Sequence, residues 1–272
     1  MPSTSVRISG GDATVAYDVT GSGPGVVLVH GTAASRGQWQ GLVSALSDRF
    51  TVVAPDYSGS GDTSDHGGPL TLADLSAEIL AAATHAGLST FHLVGHSLGA
   101  AVATDLAATH PDRVLSLALH AGWVRTTPRM AAEFLYWKEL LAVDVAVFAR
   151  MLPLMAFGPR YWSTVSAAQN ESLVRDLAAA ITPGALRQID VDAAVDLSGS
   201  LAAITAPTLV LASSHDRVIE HDQQMALLEG IADARYAEID AGHGAPAEDP
   251  AGFNTRIAGF LDEVAVSIVV GY

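Results

Sequence analysis

A chain of 272 residues, 49% apolar and 16% charged, has room for one α/β domain with an insertion and enough apolar material for a substantial core. That balance excludes wholesale disorder. A net charge of −15, with Lys138 the only lysine and the arginines scattered, excludes the clustered cationic surface that nucleic acid requires.

In chain order, Met1 to Thr14 carries no apolar h-region, so no secretory signal is expected. Short β-branched runs then predict strands at Thr14–Val19, Gly25–Val29, Thr51–Ala54, Phe91–Val94, Val114–Leu119, Thr208–Ala212 and Tyr236–Ile239. From Val26 onward several of these runs are continuously apolar, as in parallel strands covered on both faces. Helical pattern separates them at Gln38–Leu46, Leu72–Ala86, Leu98–Thr109, Asp222–Gly230 and Ala251–Val264. This alternation predicts a doubly wound, mostly parallel sheet with its site at the carboxyl ends of the strands.

One stretch breaks the rhythm. From Trp123 to about Leu201 only helical pattern appears (Arg129–Met151, Ser166–Ile181), punctuated by Pro153, Pro159 and Pro183. It reads as a helical cap, residues 123–201, inserted into a core of residues 1–122 and 202–272. Most aromatic side chains between Trp123 and Trp162 are expected to be core of the cap. Trp123, Phe134, Trp137, Phe157 and Trp162 are the candidates to line an apolar substrate pocket. The apolar stretch Val264–Val270 is too short to span a bilayer, which takes about 20 residues. It is expected to pack on the body or on a second copy of the chain, so a homo-oligomer stays open and a membrane partner does not. The absence of cysteine removes disulfides, thiolate nucleophiles and cysteine zinc sites, and suits the cytoplasm.

Chemistry concentrates at Gly95-His96-Ser97-Leu98-Gly99, a G-x-S-x-G sequence with a predicted strand before it and a helix after it. A serine in such a turn is held in a strained backbone conformation with its hydroxyl pushed out of the sheet. Its neighbours must be tiny, as Gly95, Gly99, Ala100 and Ala101 are. A serine hydroxyl also needs a base, for which ten histidines compete. His85, His92 and His110 lie on predicted helix or strand surfaces and His66 in a glycine-rich loop.

With these residues the sequence resembles the α/β-hydrolase family over nearly the whole chain outside the cap. The resemblance implies His243, in Ala241-Gly242-His243-Gly244 after the last strand, as the base, and Asp216, just after Thr208–Ala212, as the carboxylate that orients it. Some relatives carry the acid one strand earlier, but His120-Ala121-Gly122 offers none there. Asp222, expected to be a helix cap, and Asp240 are weaker rivals. The resemblance also implies that His30-Gly31 ends the oxyanion strand, with the backbone N–H groups of Thr32 and Leu98 as oxyanion donors and His30 holding the loop. Members commonly have Arg-Gly after the Asp and one further residue in the loop matching Pro55-Asp56-Tyr57. Here Ser58-Gly59 stand instead, leaving a charge anchor from that loop unsupported.

A serine at this position argues against the relatives that use an aspartate nucleophile, the haloalkane dehalogenases and epoxide hydrolases. The expected activity is hydrolysis of a carboxylic ester or lactone of a small-to-medium apolar molecule through an acyl-enzyme. Acyl transfer, cyclisation, thioester or carbon–carbon bond cleavage are alternatives on the same scaffold, and a slow or non-catalytic ligand-binding protein is the reading from another class. No cofactor is expected, and no histidine spacing suggests a metal.

Overall fold

The computed structural model describes residues 1–270, with side chains described through residue 267. The chain opens with a hairpin, β1 (Ser3–Ile8) paired antiparallel to β2 (Gly11–Thr20). β1 was not expected from sequence, because its Ser-Thr-Ser-Val-Arg-Ile alternates exposed and half-buried residues and buries only its last. Asp74 holds the hairpin turn, accepting from the Ser9 N–H at 2.7 Å and the Ser9 hydroxyl at 2.8 Å.

Strand and helix then alternate as β3 (Gly25–Val29), α1 (Gln40–Leu46), β4 (Thr51–Pro55), α2 (Leu72–His85), β5 (Phe91–His96), α3 (Leu98–Thr109) and β6 (Val114–His120). Five helices follow before the next strand: α4 (Pro128–Val143), α5 (Val145–Ala156), α6 (Pro159–Thr164), α7 (Ala167–Ala180) and α8 (Ala185–Ala194). The run expected as one helix over Arg129–Met151 divides at Asp144. Its extended backbone ends α4, and its carboxylate accepts from the Ala146 N–H at 2.6 Å to start α5. Ser166 caps α7 in a reciprocal box with Gln169. The chain closes with β7 (Thr208–Ser213), α9 (His221–Gly230), β8 (Ala234–Ile239), α10 (Ala245–Glu248) and α11 (Pro250–Val270). α11 carries the apolar C-terminal stretch as one continuous helix. Glu220, not Asp222, is the N-cap residue of α9.

The sheet runs β1-β2-β4-β3-β5-β6-β7-β8, parallel from β4 to β8 and antiparallel where β2 joins. β5 lies in its centre and is wholly buried. Alternation along β3 shows why: Val27 and Val29 enter the apolar cluster with α2, α3 and the inserted helices, while Val26 and Leu28 enter the one with α1 and α11. No helix among the described residues is long and apolar enough to cross a membrane.

The second cluster centres on Phe253, fully buried, 6.2 Å from the Trp39 ring and 5.1 Å from that of His120. Replacing a buried phenylalanine by alanine removes its transfer energy and leaves a cavity. Phe253→Ala is expected to cost about 3–5 kcal/mol in denaturant unfolding, and a loss below about 1 kcal/mol would show that α11 contributes little to this core.

Candidate active site

Ser97 stands between β5 and α3 with φ 55° and ψ −123°, a left-handed conformation that a residue with a Cβ adopts only under constraint. The constraint is close packing. A Cβ on Gly95 would lie 2.3 Å from the Gly99 carbonyl oxygen, and one on Gly99 would lie 2.1 Å from that of Val29. Both positions therefore exclude any side chain, and α3 begins almost in contact with β3.

Three side chains distant in sequence meet at this turn. The Ser97 Oγ lies 2.9 Å from His243 Nε2, and His243 Nδ1 lies 3.0 Å from Asp216 Oδ2. Asp216 follows β7 and also accepts from the N–H groups of Val218 and Ile219, each at 2.9 Å. His243 sits in the loop after β8, which Glu248 pins by accepting from the Gly242 and Gly158 N–H groups, both at 2.8 Å. Burial works to raise the Asp216 pKa, but the charge and hydrogen bond of His243 and the two N–H groups outweigh it, leaving the carboxyl below its ordinary range. Burial lowers the His243 pKa, and the Asp216 charge and hydrogen bond, helped by the charges of Glu133 and Asp192, more than reverse this. The imidazole is thus made a stronger base.

The N–H groups of Thr32 and Leu98, the expected oxyanion donors, have no hydrogen-bond partner among the described residues. A Cβ on Gly31 would fall 3.2 Å from the Ser97 Cβ, so the loop after β3 runs directly past the hydroxyl. A developing oxyanion requires free donors of this kind.

A scan against family models matches residues 24–250 to the alpha/beta hydrolase fold. The chain belongs to the α/β-hydrolase family. A pyrrolizixenacetamide deacetylase of Xenorhabdus hominickii is 36% identical over 94% of this chain and 97% of its own. Among solved structures, a hydrolase from Pseudomonas aeruginosa superposes with a TM-score of 0.83 at 27% identity, covering 95% of this chain and 98% of that one. A thermophilic esterase from Thermogutta terrifontis gives 0.86 at 24% identity, covering 97% and 99%. This α/β hydrolase is an enzyme with a Ser-Asp-His triad.

Around the triad, His30 is buried and stacked on Tyr57 at 4.0 Å, with Nδ1 2.8 Å from the Gly31 carbonyl and Nε2 3.0 Å from the Ser60 hydroxyl. Burial drops its pKa to about 4, so it holds the loop as a neutral ring. A second serine–histidine contact, Ser213 Oγ to His120 Nε2 at 2.9 Å, continues through His120 Nδ1 to His96 Nδ1 at 2.8 Å. Burial lowers His120 to about 3 and His96 well below its ordinary value. These are neutral rings forming a floor under His243, whose centroid lies 5.0 Å from that of His96. His92, placed on a surface by its strand pattern, is instead buried, 2.8 Å from the Ser116 hydroxyl. Asp240, the rival acid, is taken up by His215 at 2.9 Å.

Of the aromatic candidates, Trp123, Phe134 and Trp137 form one buried chain of rings, 6.1 Å and then 5.3 Å apart. Phe157 packs on the loop of His243: a Cβ on Gly244 would lie 2.7 Å from its ring. Trp162 is half-buried on α6 against Tyr161. The two cavities described, about 680 Å³ beside β1, α2 and α3 and about 600 Å³ around Arg36, are lined by none of the triad residues.

Several supporting residues escaped the sequence reading. Arg36 supplies the guanidinium missing after Asp56, pairing with Asp56, Asp18 and Asp62, while Ser58 bonds instead to buried Glu78. From α8, Gln188 accepts from the Ala33 N–H at 2.9 Å and donates to the Ser58 carbonyl at 3.1 Å, and Asp192 accepts from the Thr32 hydroxyl at 2.7 Å. Their signal was available: Ala185, Gln188, Ile189 and Asp192 form one helical stripe, all buried, in which two members are polar.

With His243 as the base that the resemblance implies, acting in its neutral form, its raised pKa predicts activity that is full at high pH and falls as pH drops through a midpoint above the ordinary 6.5. A kcat/KM profile with a midpoint below that value would contradict this. Asp216→Asn should lower kcat on the order of 10⁴-fold. Gln188→Ala should lower it by about tenfold, well short of losing an oxyanion donor outright, and an unchanged rate would mean that the loop holds itself.

Proposed function

We propose that Ser97, His243 and Asp216 remove a small carboxylic acyl group from an oxygen or nitrogen leaving group through an acyl-enzyme. The serine–imidazole–carboxylate relay beside two unoccupied N–H donors carries this reading. His243 takes the Ser97 proton as Oγ bonds to the acyl carbon, and the N–H groups of Thr32 and Leu98 hold the oxyanion. Collapse breaks the bond to the leaving group, which takes the proton from His243, and water then repeats the sequence on the acyl-enzyme. An ester or lactone satisfies this chemistry. A relative of nearly full coverage whose name specifies deacetylation of an acetamide supports extending the reading from C–O to C–N bonds.

In this reading α4 to α8 act as the cap. Trp123, Phe134, Trp137, Phe157 and Trp162 form its apolar wall, and the expected partner is a small molecule. The enclosed position of Ser97 and His243, each 7% exposed, favours one further reading, acyl transfer to an acceptor other than water.

Hydrolysis of p-nitrophenyl acetate, with the acetylated protein followed by intact mass, tests the proposal. Ser97→Ala should lose turnover by 10⁴-fold or more, roughly, and fail to acquire the acetyl group. Turnover retained in that variant would remove the nucleophile. Added hydroxylamine should divert product to the hydroxamate in proportion to its access.

A further inference from the structure

Five of the nine large apolar side chains that stand exposed among the described residues lie on two consecutive helices, Leu135, Tyr136 and Val143 on α4 and Val147 and Leu154 on α5. They are 45% to 80% exposed. Single apolar residues scattered over a surface need no explanation, but a concentration does. On α4 the exposed residues Ala132, Leu135, Tyr136, Glu139, Ala142 and Val143 follow the helical period and share one face, opposite the buried Phe134, Trp137 and Leu141. On α5 Ala146, Val147, Arg150 and Leu154 are exposed, away from buried Phe148. Eight of these ten outer positions are apolar, where a solvated helix carries charge. The two faces meet at the corner, because Val143 and Ala146 flank Asp144, which ends one helix and starts the next.

Charge and area decide what fits this face. A helix that lies on a lipid surface sets free Lys and Arg beside its apolar stripe. Here every cation of α4 and α5 is engaged by an acid: Arg129 with Glu133, Lys138 with Asp190 and Arg150 with Glu171. Asp144 at the corner spends its carboxylate on the Ala146 N–H. The two charged members of the face, Glu139 and Arg150, have opposite signs, so it is close to neutral on a chain that carries −15. Two copies of such a chain meet with least repulsion there. The five large side chains present on the order of 500 Å² of apolar surface, more than the few hundred that a monomer ordinarily leaves open. Two such faces together reach roughly the 1,000 Å² that a specific interface needs.

We propose that the outer face of α4 and α5 joins two copies of this chain about a two-fold axis. An isologous pair buries the same patch on both members, so one self-complementary face suffices and the assembly closes at two. This is a different surface from the apolar end of α11, where the sequence alone put a second copy. Pairing here holds α4 from outside, while its inner face carries the buried Phe134 and Trp137, and it requires no particular chemistry at Ser97.

Sedimentation velocity between about 1 and 200 µM protein tests this, with a monomer–dimer Kd on the order of 10 µM expected for an interface of this size. Val143→Glu, at the most exposed of the five positions, should raise that Kd at least about tenfold by placing an unpaired carboxylate in the contact. Leu135→Glu on the same face should do likewise. Val266→Glu, on α11 and 62% exposed, should leave the dimer intact. None of these side chains is buried, so each variant should keep the circular dichroism of the wild type. A wild-type protein that stays monomeric throughout the range overturns the proposal whether or not the variants fold. So does a dimer that survives both α4 substitutions, or one that only Val266→Glu dissociates. Flotation with phosphatidylcholine vesicles covers the other occupant. The wild type should remain unbound, and vesicle binding that Val143→Glu abolishes would give the face to lipid and overturn the pairing.

Discussion

The architecture depends on how closely α3 approaches β3. With hydrogen atoms in place of side chains at residues 95 and 99, the helix start packs against the Val29 and His30 carbonyls, and Ser97 is forced to φ 55°. Strain of this kind persists only where surrounding packing over-determines it. Here the surroundings are a central strand and a helix whose first seven residues are all buried. The same closeness brings the loop after β3 past Ser97, so the proposed nucleophile and the proposed anion pocket both rest on one packing contact.

Electrostatics around that turn are divided by burial. His30, His96 and His120 are all kept neutral and serve as hydrogen-bonded spacers. His243 alone among them faces a carboxylate that stays ionised, and it alone is driven toward a higher pKa. This contrast separates the triad from the superficially similar Ser213–His120 pair, whose imidazole bonds to His96 in place of a carboxylate. The inserted helices enter the same balance, since Asp192 and Glu133 contribute negative charge at His243 and α8 ties down the loop after β3.

The sheet and the Ser97 turn were legible because each leaves a local mark, whereas Asp216 and His243 came from the family resemblance. Continuous apolar runs announced the buried strands, and a glycine-flanked serine between strand and helix announced the turn. The hairpin strand Ser3–Ile8 left almost none, being an edge strand with only one buried side chain. His92 was misplaced because alternation along a strand covered on both faces no longer separates surface from core. Arg36 was invisible for another reason. Its partner Asp56 is 20 residues away, and the loop that usually supplies the charge carries Ser58 instead. Gln188 and Asp192 did leave a mark, as polar members of an apolar helical stripe, but the residues they hold lie more than 150 positions upstream.

The central claim is that this geometry makes Ser97 uniquely nucleophilic. Reaction with a fluorophosphonate, followed by peptide mass mapping, tests it most directly. A single adduct on the peptide containing Ser97, lost in His243→Ala, is the expected result. An adduct on Ser213, or none on an otherwise folded protein, would contradict it.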